Sequence, residues 1–168
     1  HSVDAVVSAS RHAETARGEK SLIALANGQE PSPTDFTMSV HNAATGVLTI
    51  FKKLHVPVTS VAAEANTFEA ALFEATAFLQ DGKKSVLLID YENILPEILG
   101  SRLPPIQEAF AVAMILQKGP TLTAVAQNEP EKEPDTVDIL QFLKGVLRPE
   151  SSFTVRSGSR LWTWRKAP

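Results

Sequence analysis

The run Ser85-Val86-Leu87-Leu88-Ile89-Asp90 is apolar at every position between its two ends, without the alternation of a strand that shows one face to water. Such a segment is buried on both faces, as happens in a parallel or mixed sheet covered by helices. The segments before it supply the partners. Val3 to Ser8 is a run of β-branched and small residues that suits a strand, and Arg11 to Asn27 is rich in helix formers up to the stop signal Asn27-Gly28. Pro31-Ser32-Pro33-Thr34-Asp35 reads as loop or turn, because two prolines fix φ and remove two backbone donors. Ser39 or a neighbour then caps a helix from Val40 to Leu54, in which Val40, Ala43, Val47, Ile50, Phe51 and Leu54 recur at helical spacing and predict a wide buried stripe. Gly46 costs that helix about 1 kcal/mol relative to Ala. It marks either close approach of another backbone or a tolerated glycine.

Pro57 ends the helix, Val58 to Ala62 reads as a short strand, and Thr67 to Leu79 as a helix burying Phe68, Ala71, Leu72, Ala75, Phe78 and Leu79. The order β, α, α, β, α, β is that of a layered α/β domain with a central mixed sheet and buried helices. Beyond it, Ala109 to Leu116 and Thr121 to Val125 are strand-like and separated by Gly119-Pro120, a hairpin signal. A polar connector from Glu129 to Pro134, a helix from Thr136 to Leu147 and a strand from Ser159 to Arg165 complete the chain. In that last strand Trp162 and Trp164 share one side, as a core or interface ridge rather than a stacking surface for nucleic acid. There is no internal repeat.

At 168 residues the chain is the size of one domain, taken as residues 1–168. It passes from His1 almost at once into Ala5-Val6-Val7, and the expectation is that an upstream N-terminal segment is missing. With 16 Lys+Arg against 19 Asp+Glu, a formal net charge of −3, the basic excess that nucleic-acid binding requires is absent. The cysteine count is zero, which removes disulfides, cysteine zinc sites and thiolate nucleophiles together and fits a reducing cytoplasm. No apolar run approaches the roughly 20 residues needed to span a bilayer, so no membrane insertion is expected. Asp90, Glu92 and Glu97 cluster after the apolar strand, but no histidine or second acidic cluster accompanies them, and they read as a solvated loop rather than a metal site. Ser8 or Ser60 with a histidine is the alternative of a stand-alone acyl-transfer or hydrolytic enzyme, although neither sits in a G-x-S-x-G elbow.

The stretch from Pro33 to Leu79 resembles the N-terminal half of β-ketoacyl synthases of the thiolase superfamily, through Gly46-Val47-Leu48-Thr49-Ile50, Pro57 and the strand Val58 to Ala62 that leads into a buried helix. It is most similar to short chain-length-factor-like proteins of aryl-polyene-type clusters, which share the string Ser39-Val40-His41-Asn42-Ala43. The resemblance extends loosely from Val3 to about Asp90 and to the Arg160-x-Trp162-x-Trp164-Arg165 ending, with little from Glu97 to Glu150. It implies half of a thiolase-like fold. Active members place a cysteine where this chain has Glu64 on the alignment that keeps Phe68 and Glu69 in register, or Ala65 on gapless counting. Neither side chain forms the thioester that divides acyl transfer into two steps. The histidine pair of active members lies in a C-terminal half, and His1, His12, His41 and His55 do not sit in its motifs.

The resemblance therefore implies no catalytic residue, no cofactor and no metal. Glu64 is either a gating plug or an ordinary carboxylate at a helix start. Val58, Thr59, Ser60, Val61 and Ala62 become the strand that pairs with a partner subunit, while Phe36, Met38, His41 and Asn42 line an acyl cavity or the interface. The implied role is a non-catalytic chain-length-factor-like subunit in a heterodimer with a catalytic ketosynthase, serving an acyl carrier protein indirectly. A homodimeric scaffold is the alternative pairing.

Overall fold

A computed structural model describes residues 2–97, 108–130 and 136–167. The chain runs β1 (Ala5–Ala9), α1 (Thr15–Ala26), α2 (Pro33–Thr37), α3 (Ala43–Lys52), β2 (Val58–Val61), a 3₁₀ turn (Glu64–Asn66), α4 (Thr67–Gln80), β3 (Val86–Glu92), β4 (Phe110–Leu116), β5 (Leu122–Asn128), α5 (Asp138–Leu147), β6 (Ser152–Ser157) and β7 (Arg160–Lys166). The first sheet has the order β2-β1-β3-β4, the second β5-β7-β6. β1 lies parallel to both β2 and β3, and β3 lies antiparallel to β4, so the apolar run at 85–90 is the inner strand of a mixed sheet. The second sheet is antiparallel throughout.

The core explains the layering. Ala5, Val7 and Ala9 of β1 and Val86 and Leu88 of β3 meet Phe68, Ala71 and Ala75 of α4, while Ile139 and Phe142 of α5 and Val155 of β6 close the same cluster from the other side. α4 and α5 are thus held between two sheets. The opposite face of β1 carries Ser8, which meets Thr45 of α3. Gly145 of α5 is required by packing: a Cβ there would fall 2.1 Å from the Phe153 ring, which itself stacks on Trp164.

Four expectations are corrected. Gly119-Pro120 does not turn a hairpin, because β4 is the edge of the first sheet and β5 the edge of the second; the turn carries the chain between layers. The supposed loop at Pro31–Asp35 contains the start of α2, with Pro33 at its first position and Ser32 Oγ accepting from the Asp35 N–H at 3.2 Å. That is the place where a missing proline N–H costs nothing. The stripe on α3 is exposed rather than buried, with Ile50 80% and Phe51 77% accessible and Thr45 its one buried residue. The helix begins after Asn42, and Ser39 instead donates to the Phe36 carbonyl. Strand β6 was not anticipated, because Ser152-Phe153-Thr154-Val155 follows directly on a polar, proline-bearing stretch. Most of the connector at 129–134 lies outside the described residues.

Candidate functional site at the elbow before α4 and the free edge of β2

The strand-to-helix junction is built around Glu64, whose φ of 49° is left-handed. A non-glycine residue in that region carries strain of roughly 1–3 kcal/mol and persists only when its surroundings hold it there. Here they do. The Glu64 carbonyl accepts from Arg11 Nε at 3.0 Å and from Thr67 Oγ1 at 2.8 Å, while Thr67 Oγ1 accepts from the Ala63 N–H at 3.0 Å. The side chains of Glu64 and Ala65 are exposed. Behind the elbow, Ser157 Oγ lies 3.0 Å from Asp138 Oδ2, 3.2 Å from the Ala65 carbonyl and 3.4 Å from Asn66 Oδ1, so its single proton serves one of three acceptors. The second sheet is thereby fastened to the turn.

Asp90 and Glu92 are not in a solvated loop. Both are buried, and they lie inward on β3 together with Asp138 across the core. Burial, reinforced by repulsion from Asp138 and Glu92, pushes the Asp90 carboxyl from 3.8 up to about 8. Burial likewise raises Asp138 to about 6, against hydrogen bonds from Ser157 and the Ile139 N–H. Glu92 is raised by burial, opposed by the N–H groups of Arg11 and His12 that its two oxygens accept. Glu97 is exposed. Among the described residues no group of three or more His, Cys, Asp or Glu side chains forms a metal site.

β2 and β4 are the two edges of the first sheet, and among the described residues β2 pairs with β1 alone. Val6 N–H donates to the Pro57 carbonyl at 3.0 Å and Ser10 N–H to the Val61 carbonyl at 3.2 Å. Backbone groups alternate along a parallel strand, so Pro57, Thr59 and Val61 face β1 while Val58 and Ser60 turn their N–H and C=O groups outward. Beside this edge His41, Asn42, Gly46, Thr49, Val58, Ser60 and Ala62 line a groove of about 540 Å³. His41 Nε2 donates to the Ser10 carbonyl at 2.8 Å. Phe36 lies in α2 with 67% of its surface exposed, and Met38 caps the end of that helix, half-buried.

The elbow thus brings Glu64 and Ala65 together, and the groove brings His41 and Asn42 to β2; Phe36 and Met38 lie outside the groove lining. Neither serine has a histidine partner among the described residues: Ser8 Oγ is 2.9 Å from Ser60 Oγ and accepts from Thr45 Oγ1 at 2.6 Å. Sequence reasoning named Ser8, Ser60, Asp90 and Glu92 but missed Thr45, the burial of the two acids, and Glu69 of α4, whose carboxylate accepts from Trp162 Nε1 at 3.0 Å. The signals were an acid within the apolar stripe of α4 and an acid at an inward position of β3.

No helix of the described residues is long and apolar enough to cross a membrane. No curated protein matches the chain. Among solved structures the fold is similar, with a TM-score of 0.94 and 38% sequence identity, to a chain of the complex of ketosynthase ApeO with its chain length factor ApeC from Xenorhabdus doucetiae, over 99% of this chain and 71% of that one. Its two sheets around buried helices are those of a thiolase-like ketosynthase half. Over residues 1–165 the sequence matches the family described as beta-ketoacyl synthase, N-terminal domain, and the chain belongs to that family.

Proposed function

We propose that this chain is a chain-length-factor-like subunit, without catalysis of its own, that pairs with an active ketosynthase in the cytoplasm and shapes the cavity in which a carrier-protein-bound acyl chain is elongated, in polyketide or fatty-acid-type synthesis of the aryl-polyene kind. The observation that carries this is the edge of β2, unpaired on its outer side among the described residues, beside a helix α3 that turns Val47, Ile50 and Phe51 outward. An open strand edge beside a contiguous apolar face calls for a protein cover. The similar structure is a ketosynthase–chain length factor complex, which supports a ketosynthase as that cover. The left-handed Glu64 supports that residue, rather than Ala65, as the occupant of the nucleophile position, and a chain with no cysteine offers no thiol there. Phe36 and Met38 are assigned to the acyl cavity.

Co-expression with the cognate ketosynthase followed by size-exclusion chromatography with light scattering tests the reading. A 1:1 complex is the expected result. A chain that elutes as a homodimer and leaves the ketosynthase behind overturns it in favour of a self-associating scaffold.

A further inference from the structure

The hydroxyl that fastens the second sheet to the elbow has more acceptors than protons. Ser157 of β6, 2% exposed, has Asp138 Oδ2 at 3.0 Å, the Ala65 carbonyl at 3.2 Å and Asn66 Oδ1 at 3.4 Å. With Asp138 ionised, one of these contacts is a hydrogen bond and the others set oxygen lone pairs against each other. Turning over the Asn66 carboxamide offers Ser157 a donor instead; the Ala65 carbonyl has no such option. The oxygens are held together by the hairpin tip, because Gly158, at φ +53°, sits so close to Asn66 that a Cβ there would fall 2.5 Å from Oδ1.

Asp138 decides where the Ser157 proton goes. It is 4% exposed, and its Oδ1 accepts from the Ile139 N–H at 3.0 Å, so a proton taken up by the carboxyl sits on Oδ2, facing Ser157. The acid then donates to Ser157 Oγ, and the serine proton passes to the elbow, where the Ala65 carbonyl is the nearer acceptor. When Oδ2 loses its proton to solvent, the charge-assisted bond from Ser157 to the carboxylate is the stronger one. The Ala65 carbonyl is then left without this donor.

We infer that Asp138 and Ser157 form a proton-operated clasp on the elbow: as an acid, Asp138 turns the Ser157 hydroxyl onto the Ala65 carbonyl, and as a carboxylate it draws the hydroxyl away and loosens the turn that opens α4. The clasp belongs to the chain by itself and is independent of what the β2 edge meets. Around it, Asp90 and Glu92 of β3 are acids, and Arg11 after β1 is the cation whose charge acts on Asp138. Arg156 of β6 is engaged by Glu129 at 2.6 Å, and Arg160 of β7 by Glu69 of α4. Burial raises Asp138 from 3.8 to about 6, so the clasp is closed at acid pH and opens as pH rises through about 6. Asp90, raised by burial to about 8, still carries its proton there.

Carbonyl-carbon NMR and amide exchange of the purified chain read the clasp. The Ala65 carbonyl resonance is expected to move upfield as the Asp138 carboxyl ionises, both with a midpoint of about 6. Over the same transition the Asn66 N–H, which donates to the Ala63 carbonyl at 2.9 Å within the turn, should lose about fivefold in protection. In Ser157→Ala the Asp138 carboxyl should still titrate while the Ala65 transition vanishes. Asp138→Asn, whose amide donates to Ser157 as the acid does, should hold Ala65 at its acid-side position at every pH. Asp90→Asn should leave the transition in place. An Ala65 resonance that does not follow Asp138, or that still follows it in Ser157→Ala, overturns the clasp; disappearance of the transition in Asp90→Asn assigns it to Asp90 and overturns the clasp equally.

Discussion

Trp162 of β7 donates its indole N–H to Glu69 Oε2 of α4 at 3.0 Å, while Arg160 pairs with the other oxygen of the same carboxylate. Glu69 lies in the first turn of α4, where the helix dipole favours a carboxylate. One side chain thus ties the second sheet to the helix that follows the Glu64 elbow. Glu69→Ala removes both hydrogen bonds and strands the Trp162 donor, and is expected to cost about 2–3 kcal/mol in urea unfolding. Arg160→Ala is expected to cost under about 1 kcal/mol, because its side chain is 47% exposed and the pair is screened on that side. Equal losses in the two variants would refute this division.

Two glycines in helices are expected to respond in opposite directions. Gly145→Ala drives a Cβ into the Phe153 ring, which is fixed by Trp164 stacking 6.2 Å away, and should destabilise by about 1–3 kcal/mol. Gly46→Ala meets open space and should gain. Denaturation of both variants in the same buffer gives the comparison, and a neutral Gly145→Ala would mean the aromatic cluster yields.

Asp90 makes stability depend on pH in a defined sense. Its folded pKa, about 8, lies above the ordinary 3.8, so between these values the folded state holds a proton that the unfolded state has released. The stabilisation is complete below about pH 4 and is lost as pH rises toward 8; Asp138, raised to about 6, adds to the slope at the acid end. Asp90→Asn is neutral throughout and should be more stable than the parent at pH 8, with the advantage shrinking or reversing at pH 5. Urea midpoints at the two pH values measure this. Parallel midpoints for parent and variant would show that Asp90 is charged in the fold.

Ser60→Pro removes an outward N–H from the edge of β2 without touching the bonds to β1, so a folded but solitary chain is expected on size-exclusion chromatography with the cognate ketosynthase. Phe36→Ala should leave association intact and lengthen the product, as read by mass spectrometry. Retained association in folded Ser60→Pro rejects strand pairing; unchanged product length rejects the role of Phe36.

The purified chain should take up no acyl group from malonyl- or acyl-carrier protein, and Glu64→Cys should still not condense acyl groups by itself, since a thiol without assisting histidines supplies only one of the needed parts. Intact-mass spectra and product analysis decide. A stable acyl adduct on the parent would end the non-catalytic reading.

Local order was legible where one pattern dominated. The unbroken apolar run of β3 announced a mixed sheet but overstated its burial, since only alternate residues from Val86 to Glu92 are buried and those between are half-buried; the stripe of α4 from Phe68 to Leu79 matched its buried face. The stripe of α3 was equally regular and led to the opposite outcome, because periodicity reports an apolar face and not whether this chain covers it. Gly119-Pro120 marked the break between β4 and β5 but not its geometry, because which sheet receives the next strand is decided by long-range packing of Trp162 and Trp164. The buried state of Asp90 was hidden for the same reason. Its inward position follows from alternation, whereas its neighbour Asp138 is 48 residues away in sequence.

The passage from β4 to β5 has a consequence for how the molecule is put together. Residues 117–121 are exposed, and they form the direct link by which the chain leaves one sheet for the other. Opening the backbone at Gly119 would sever that tether while leaving untouched the apolar cluster in which Phe68 faces Phe142 at 5.2 Å. The two pieces would then behave as a bimolecular assembly, held by the shared helical layer and dissociating on dilution, so that covalent continuity here sets an effective concentration rather than a shape.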